Sequence, residues 1–142
     1  QQHDLRLKLD NIFEDVFSAR EEKIVRMRYG CVPTQLNVIL RLAKETNDTD
    51  YTKLLAAVRR HKIHFETLIT MVKKIHDPII HKHISKYEAS HSLEQISKEF
   101  KKISASQIRQ IESKSIRRLR NLNQAKKIKS LKTYLNPDDI TY

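Results

Sequence analysis

The polar side chains whose types and spacing favour a specific chemistry lie in the carboxy-terminal third of the chain. Arg109 can donate two parallel hydrogen bonds to the edge of a guanine, and the amide of Gln110 can pair with an adenine. Ala105, Ser106 and Gln107 stand just before them at the start of the same predicted helix. A helix that enters the major groove presents the residues of its amino end to the base edges. These residue types suit the readout of duplex DNA if the helix enters a major groove, and a helical hairpin without a DNA role fits the pattern equally well.

A second set of residues suits the sugar-phosphate backbone. Ser92 opens the preceding helix, whose amino-terminal N–H groups can bind a phosphate. Four basic residues on the second helix would supply the salt-dependent part of the affinity: Lys114, Arg117, Arg118 and Arg120. Residues 92–135 contain 12 basic and three acidic residues, a net charge of +9 out of +11 for the chain. This excess predicts a polyanionic partner, and a solubilising surface is the alternative explanation.

Other kinds of site find little support. Six histidines lie in residues 61–91, and His61 and His64 would share a helix face, but no fixed ligand set accompanies them. Cys31 is the single cysteine, so neither a disulfide nor a thiolate metal site is expected. The chain has no Gly-rich phosphate loop and no catalytic Ser/His/Asp arrangement. We therefore expect a protein that is not an enzyme and needs no metal or cofactor.

The composition predicts an almost all-α protein that carries these residues on helices. One Gly and three Pro in 142 residues leave few hairpin turns. No apolar run is long enough to span a bilayer, and the single cysteine suits a reducing compartment, so we expect a cytoplasmic protein without membrane contact. The basic residues 122–135 lack Trp and Phe, which favours packing on protein over a membrane surface. The sequence does not begin with Met, which predicts processing or a fragment of a longer chain.

Capping signals divide the outer parts of the chain into helices. An apolar stripe covers residues 4–17, after which Ser18 and Glu21 form a capping box and Gly30 ends the second helix. Two further capping boxes begin at Ser92 and Ser104, and only a short turn at residues 101–103 separates the two helices that they open. The inward face of the second helix is predicted to hold five residues: Ile108, Ile111, Ser115, Leu119 and Leu122. Two capped helices at this spacing predict a helix-turn-helix, with a plain helical hairpin as the alternative.

The middle of the chain, residues 31–91, predicts a small bundle of amphipathic helices. The first runs from Pro33 to the polar turn at residues 47–50, and the second covers residues 51–61. A third helix is expected through residues 65–75, and a fourth starts at Asp77 and Pro78, a good N-cap followed by a first-position proline.

Two separated segments resemble the carboxy-terminal domain, region four, of primary bacterial sigma factors. The first is Ala19-Arg-Glu-Glu-Lys-Ile-Val-Arg-Met-Arg-Tyr-Gly30, which is similar to the family's helix ending in Arg-Met-Arg-Phe-Gly. The second is Ser92-Leu-Glu-Gln-Ile-Ser-Lys-Glu-Phe100 followed by Ile108-Arg-Gln-Ile-Glu-Ser-Lys-Ser-Ile-Arg-Arg-Leu-Arg120. It is similar to the family's supporting and recognition helices. Residues 131–135 also match the short apolar helix that ends such chains.

The resemblance implies a bacterial or phage transcription-initiation factor. Such a domain reads the promoter element around position −35 through its helix-turn-helix and docks on the flap of the RNA polymerase β subunit. The residues that the resemblance and the spacing assign to double-stranded promoter DNA are the ten named above, from Ser92 to Arg120. The implied domain would comprise residues 4–30 and 92–122, with residues 31–91 as an inserted helical subdomain and residues 123–142 as a carboxy-terminal helix and tail.

Three departures from the family pattern bear on function. Ala105-Ser106-Gln107 stands where the family carries a basic-acidic-basic triplet, so fewer side chains reach the bases. The turn after Phe100 is one residue longer, and about sixty residues separate Gly30 from Ser92 where the family has only a few. These departures keep a second hypothesis open: a polymerase-bound interaction module with weak DNA binding, whose insertion recruits a regulator such as an anti-sigma factor or activator. A stand-alone helix-turn-helix repressor is a third.

Overall fold

The computed structural model describes residues 2–124, with side chains from residue 5 to residue 122. These residues form eight α-helices and no strand, which confirms the all-α prediction for this part of the chain. The helices are α1 (Gln2–Val16), α2 (Ala19–Tyr29), α3 (Leu36–Glu45), α4 (Tyr51–Arg60), α5 (Ile69–Val72), α6 (Pro78–Ser85), α7 (Leu93–Phe100) and α8 (Ala105–Gln124). The predicted match at residues 131–135 lies outside the described residues. No helix within residues 2–124 is both long enough and apolar enough to cross a bilayer.

The predicted caps of α2 are confirmed, whereas α3 begins at Leu36 and not at Pro33 as predicted, because Gln35 is extended. Ser18 caps α2 as predicted, since its backbone N–H donates to Glu21 Oε1 at 2.9 Å and its hydroxyl accepts from the Glu21 N–H. Gly30 ends α2 with φ 67° and ψ 49°, the left-handed conformation that glycine adopts without strain. A Cβ at Gly30 would also lie 3.2 Å from the carbonyl carbon of Ala89. Only glycine therefore lets the end of α2 approach the segment that leads into α7.

The turn between α7 and α8 is closed by a short backbone hydrogen bond. The Lys102 N–H donates to the Phe100 carbonyl at 2.6 Å, and Lys101 between them has φ 64° and ψ −41°. This is a γ-turn of the strained hand, centred on a residue with a Cβ. Ser97 Oγ donates to the Ile103 carbonyl at 2.5 Å and closes the turn from the other side.

The prediction of one continuous helix through residues 65–75 is wrong. Only Ile69–Val72 is helical there. Residues 65–66 lie in a turn, in which the Thr67 N–H donates to the His64 carbonyl at 3.0 Å. Residues 67–68 are held out of the helix because the Leu36 N–H donates to the Thr67 carbonyl and the Ile69 N–H donates to the Thr34 carbonyl, both at 2.9 Å. These bonds form an isolated antiparallel bridge between Gln35 and Leu68. Backbone partners far away in sequence thus overrode a pattern of apolar residues that fits helical spacing.

The helix α2 is the centre of the packing and contacts α1, α3, α7 and α8. The larger core cluster joins Ile24 and Met27 of α2 to Leu42 and Ile84 of the middle segment and to Ile108 of α8. A smaller cluster places Phe13 of α1 and Phe17, which directly follows α1, with Val25 and Leu119. The middle segment, predicted as an inserted subdomain, therefore shares one hydrophobic core with the helices on both sides of it.

Candidate nucleic-acid interface

The buried side of α8 fixes which residues the helix exposes at its amino end. Ile108 and Ser115 are fully buried, Leu119 is nearly so, and Ile111 and Leu122 are half-buried, as the spacing predicts. The opposite side presents Ser106, Gln107, Arg109 and Gln110 to solvent, while Ala105 is half-buried. Four of the five residues predicted to face bases are therefore exposed together on the first turns of α8.

Part of the polar edge of Gln107 is already occupied. Its Oε1 accepts a hydrogen bond from the Ser104 N–H at 2.9 Å, and its own N–H donates to the Ser104 hydroxyl at 3.2 Å. The residue completes the predicted capping box at the start of α8. Its amide NH₂ remains the group that it can offer to a ligand, whereas Arg109 and Gln110 offer their whole side chains.

At the start of α7, where the sequence predicts a phosphate contact, two backbone N–H groups are unpaired among the described residues. Ser92 is exposed and forms a capping box with Gln95, at 2.8 Å and 3.1 Å. This box satisfies the N–H of Gln95, and the N–H groups of Leu93 and Glu94 have no partner among the described residues. They can bind an anion, although the Glu94 carboxylate in the same turn opposes it electrostatically.

The four predicted basic residues of α8 fall into two groups. Lys114 and Arg117 are exposed and make no ion pair with any described residue. Arg118 instead forks onto the Glu21 carboxylate at 2.9 Å and 3.2 Å and donates to the Val16 carbonyl at 3.0 Å. Arg120 is half-buried, and its Nε is enclosed without a partner among the described atoms. Arg118 thus joins α8 to the scaffold, and Arg120 is only partly available to solvent.

Three lysines that sequence reasoning counted but did not assign to the site extend the basic surface. Lys98 at the end of α7 and Lys101 and Lys102 in the turn are all exposed and form no ion pair within the described part of the chain. Lys101 and Lys102 lie on the turn that leads into the exposed end of α8, and Lys98 lies in the last turn of the helix before it. The signal in the sequence was their position in the excess of positive charge, which does not tell exposed cations from paired ones.

A buried ionic network holds the scaffold beneath α8. Arg26 of α2 is fully buried, and its Nε and Nη2 each donate at 2.8 Å, to Glu22 and to Asp10 respectively. The other oxygen of Glu22 accepts from Arg41 at 3.0 Å, so two cations and two carboxylates balance. Asp10 also accepts from the Thr34 N–H at 2.9 Å, which ties α1 to the segment before α3.

A second ionic cluster joins the middle segment to α7. Lys23 and Lys86 both contact Glu99 at 2.8 Å, and Lys86 also contacts Asp48 at 2.6 Å. Because Lys23 lies on α2, Lys86 follows α6 and Glu99 lies on α7, these pairs connect three helices and the turn at residues 46–50. The middle segment is thereby bonded directly to the helix that supports α8.

The histidines are arranged differently from the predicted pair. His61 ends α4 and His64 lies in the loop after it, so they share no helix face. Asp48, Asp50 and His83 instead bring three possible metal-ligating atoms within 4.8 Å of one another. Asp48 is bonded to Lys86 and Asp50 to Lys82, so both carboxylates already have cationic partners and ion pairing accounts for the group.

The candidate interface therefore consists of the first turns of α8, the turn at residues 101–104 and the exposed cations on both sides of it. Chemically it offers exposed positive charges and hydrogen-bond donors on the exposed side of α8. Comparison with known proteins adds no identification: no protein-family model, curated protein or solved structure matches this chain.

Proposed function

We propose that this chain is a promoter-binding domain similar to region four of primary sigma factors. In this proposal α7 and α8 form a helix-turn-helix, α8 is the recognition helix, and the domain docks on the β-subunit flap of RNA polymerase. The resemblance of residues 19–30, 92–100 and 108–120 to that family supports it. The two capping boxes and the short turn agree with the motif.

One observation carries the proposal, the concentration of exposed and unpaired cations in residues 98–117. Exposed unpaired lysines also occur in the middle segment, at Lys53, Lys62 and Lys74, but they are more widely spaced in the sequence. The basic residues of α2 that pack against neighbouring helices all have partners: Lys23, Arg26 and Arg28. Six exposed basic residues of α7, the turn and α8 have none among the described residues: Lys98, Lys101, Lys102, Arg109, Lys114 and Arg117. Like charges gathered on one surface repel each other, and a phosphate backbone relieves that repulsion as counterions are released.

The roles follow from position along α8. Arg109 and Gln110, exposed near the amino end, are the residues that we assign to base edges. Lys114 and Arg117, further along the helix, are assigned to phosphates. We assign Arg118 to the scaffold and not to phosphates, because its guanidinium is bonded to Glu21 and to the Val16 carbonyl.

Selection of duplexes from a random-sequence pool by the 142-residue protein tests the proposal. A preferred sequence motif, bound at micromolar protein or tighter, is expected if α8 reads bases. Retention of duplexes without any enriched motif would contradict base readout, and failure to retain duplex DNA would contradict the proposal as a whole. Binding of the same protein to core RNA polymerase, measured by co-purification, tests the docking half separately.

The second candidate function is an interaction module in which residues 31–91 recruit a regulator. Two exposed apolar side chains of the middle segment support it. Phe65 and Met71 have 46% and 52% of their surface accessible to solvent. Large exposed apolar side chains are common at protein-binding surfaces. The two candidates separate on one observation: salt-sensitive binding to duplex DNA at low micromolar protein, without polymerase, favours the promoter-binding domain.

A further inference from the structure

The helices α2 and α8 run antiparallel, and an ion pair joins them at two places. Arg118 pairs with Glu21 near the start of α2, and Glu112 pairs with Arg28 near its end at 3.1 Å. Because the earlier residue of α2 meets the later residue of α8, the two helix directions are opposed. The buried Ser115 lies between the two pairs, where a small side chain permits close approach.

The order of charges along the two helices fixes their register. The helix α2 presents an acid and then a base two turns later, Glu21 and Arg28. In α8 the order is also acid and then base, Glu112 and Arg118. Opposite charges meet in the antiparallel arrangement, whereas sliding α8 by about two turns would place Glu21 against Glu112. Such like-charge contacts cost free energy, so the alternative register is disfavoured.

Arg28 also reaches the other helix of the proposed motif. Its Nε donates to Glu112 on α8, and its Nη1 donates to the His91 carbonyl at 3.1 Å. His91 directly precedes Ser92, the N-cap of α7, and its own N–H donates to the Met27 carbonyl at 2.9 Å. One guanidinium on α2 therefore bonds both the entrance to α7 and the body of α8.

We infer that Arg28, acting through Glu112 and the His91 carbonyl, is a positioning residue that sets the orientation of α8 toward duplex DNA. This inference rests on the proposed function and deepens it. The partners of Arg28 are protein atoms, so it contributes to specificity by holding Arg109 and Gln110 at the base edges. A lysine retains the charge but lacks the planar fork that serves two acceptors in different directions.

The test compares three variants of the full chain. Arg28→Lys and Glu112→Gln each weaken the contact, and Arg20→Lys is the matched control because Arg20 is exposed on α2 and has no partner among the described residues. The probes are a duplex selected by the wild-type protein and a scrambled duplex of equal length. We expect the ratio of specific to non-specific affinity to fall about tenfold in both variants, equivalent to losing one base contact. The control retains the wild-type ratio.

The salt dependence and amide hydrogen exchange decide the mechanism. The slope of log affinity against log salt should not change in Arg28→Lys, because no phosphate contact is lost, and amides of residues 93–112 should exchange faster in both variants. A wild-type specificity ratio, or wild-type exchange rates in these residues, would overturn the inference. If the wild-type protein binds no duplex, the proposed function fails, and the exchange rates in Glu112→Gln still decide whether Arg28 positions α8.

Discussion

At the scale of single residues, exposure and pairing assign different roles to arginines that look alike in the sequence. Arg109 and Arg117 extend into solvent, whereas Arg118, one position further, is bonded to Glu21 and Val16. Helical spacing alone places all three on the accessible side of α8. The partner that distinguishes Arg118 lies almost a hundred residues earlier in the chain, so no local pattern reveals it.

Substitution of Arg109 and of Arg117 should affect DNA binding differently. Arg109→Ala is expected to lower affinity for the selected duplex by about 1–3 kcal/mol and to relax the sequence preference, because a bidentate base contact is lost. Arg117→Ala should weaken binding to all duplexes. It should also make the slope of log affinity against log salt concentration shallower by about one. Fluorescence anisotropy across a salt series measures both quantities. An unchanged sequence preference in Arg109→Ala would count against base readout by α8.

The protein should be more stable with glycine at position 101 than with alanine. Its φ of 64° and ψ of −41° strain any residue with a Cβ, and both substitutions remove the same charge. We expect Lys101→Gly to have a free energy of unfolding about 1 kcal/mol higher than Lys101→Ala. Urea denaturation of the two proteins measures the difference. Equal stabilities would mean that the turn is not strained at this position.

His83 should make the fold sensitive to mildly acidic pH. Burial, followed by the positive charge of Lys86, lowers its pKa from 6.5 to about 4. Between these pH values the unfolded chain binds a proton that the folded chain does not, so stability is complete above pH 6.5 and declines toward pH 4. The full effect of this shift is on the order of 3 kcal/mol.

The variant His83→Met removes this titration, and it sacrifices no hydrogen bond at Nε2, which has no partner among the described atoms. Its free energy of unfolding should change less than that of the wild type between about pH 7 and pH 4.5. The exposed His64→Met serves as the control and should retain the wild-type dependence. Parallel curves for all three proteins would exclude His83 as the origin of the acid sensitivity.

At the scale of helices, the sequence predicted the caps that begin and end helices, but it did not predict the long-range hydrogen bonds between segments. The three capping boxes, Gly30 and the Asp77 cap depend on residues within three or four positions, and all are as predicted. The extended residues before α5 depend on Thr34 and Leu36, about thirty positions away, and the prediction failed there. Local signals determine where helices begin and end, whereas long-range bonds determine which segments are not helical.

The buried network of α2 shows how strongly one helix depends on such distant partners. Arg26→Met would leave the carboxylates of Glu22 and Asp10 buried with one cation fewer. Removal of one partner from a buried ion pair costs about 3–5 kcal/mol, because the remaining charge stays uncompensated. Arg20→Met, on the exposed side of the same helix, should change stability by less than about 0.5 kcal/mol. Calorimetric or denaturant unfolding of both variants checks this, and a similar small change in each would contradict the assigned role of Arg26.

At the scale of the whole molecule, residues 31–91 are part of the scaffold of the proposed DNA-binding face. Their helices share the main core with α2, α7 and α8, and Lys86 bonds Glu99 of α7. The sequence placed these residues between two segments of one domain and indicated helices, but it could not indicate that the core is continuous.

The salt dependence of duplex binding tests the central claim most directly. Lys98, Lys102 and Lys114 are exposed and unpaired near α8, and a triple Lys→Gln variant removes them. Three exposed lysines of the middle segment with no partner among the described residues provide the matched control: Lys53, Lys62 and Lys74. We predict that the slope of log affinity against log salt becomes shallower by about 2–3 in the first variant, since each phosphate contact contributes about 0.9. The control should retain the wild-type slope. Equal slopes in the two variants would contradict the assignment of DNA binding to this face.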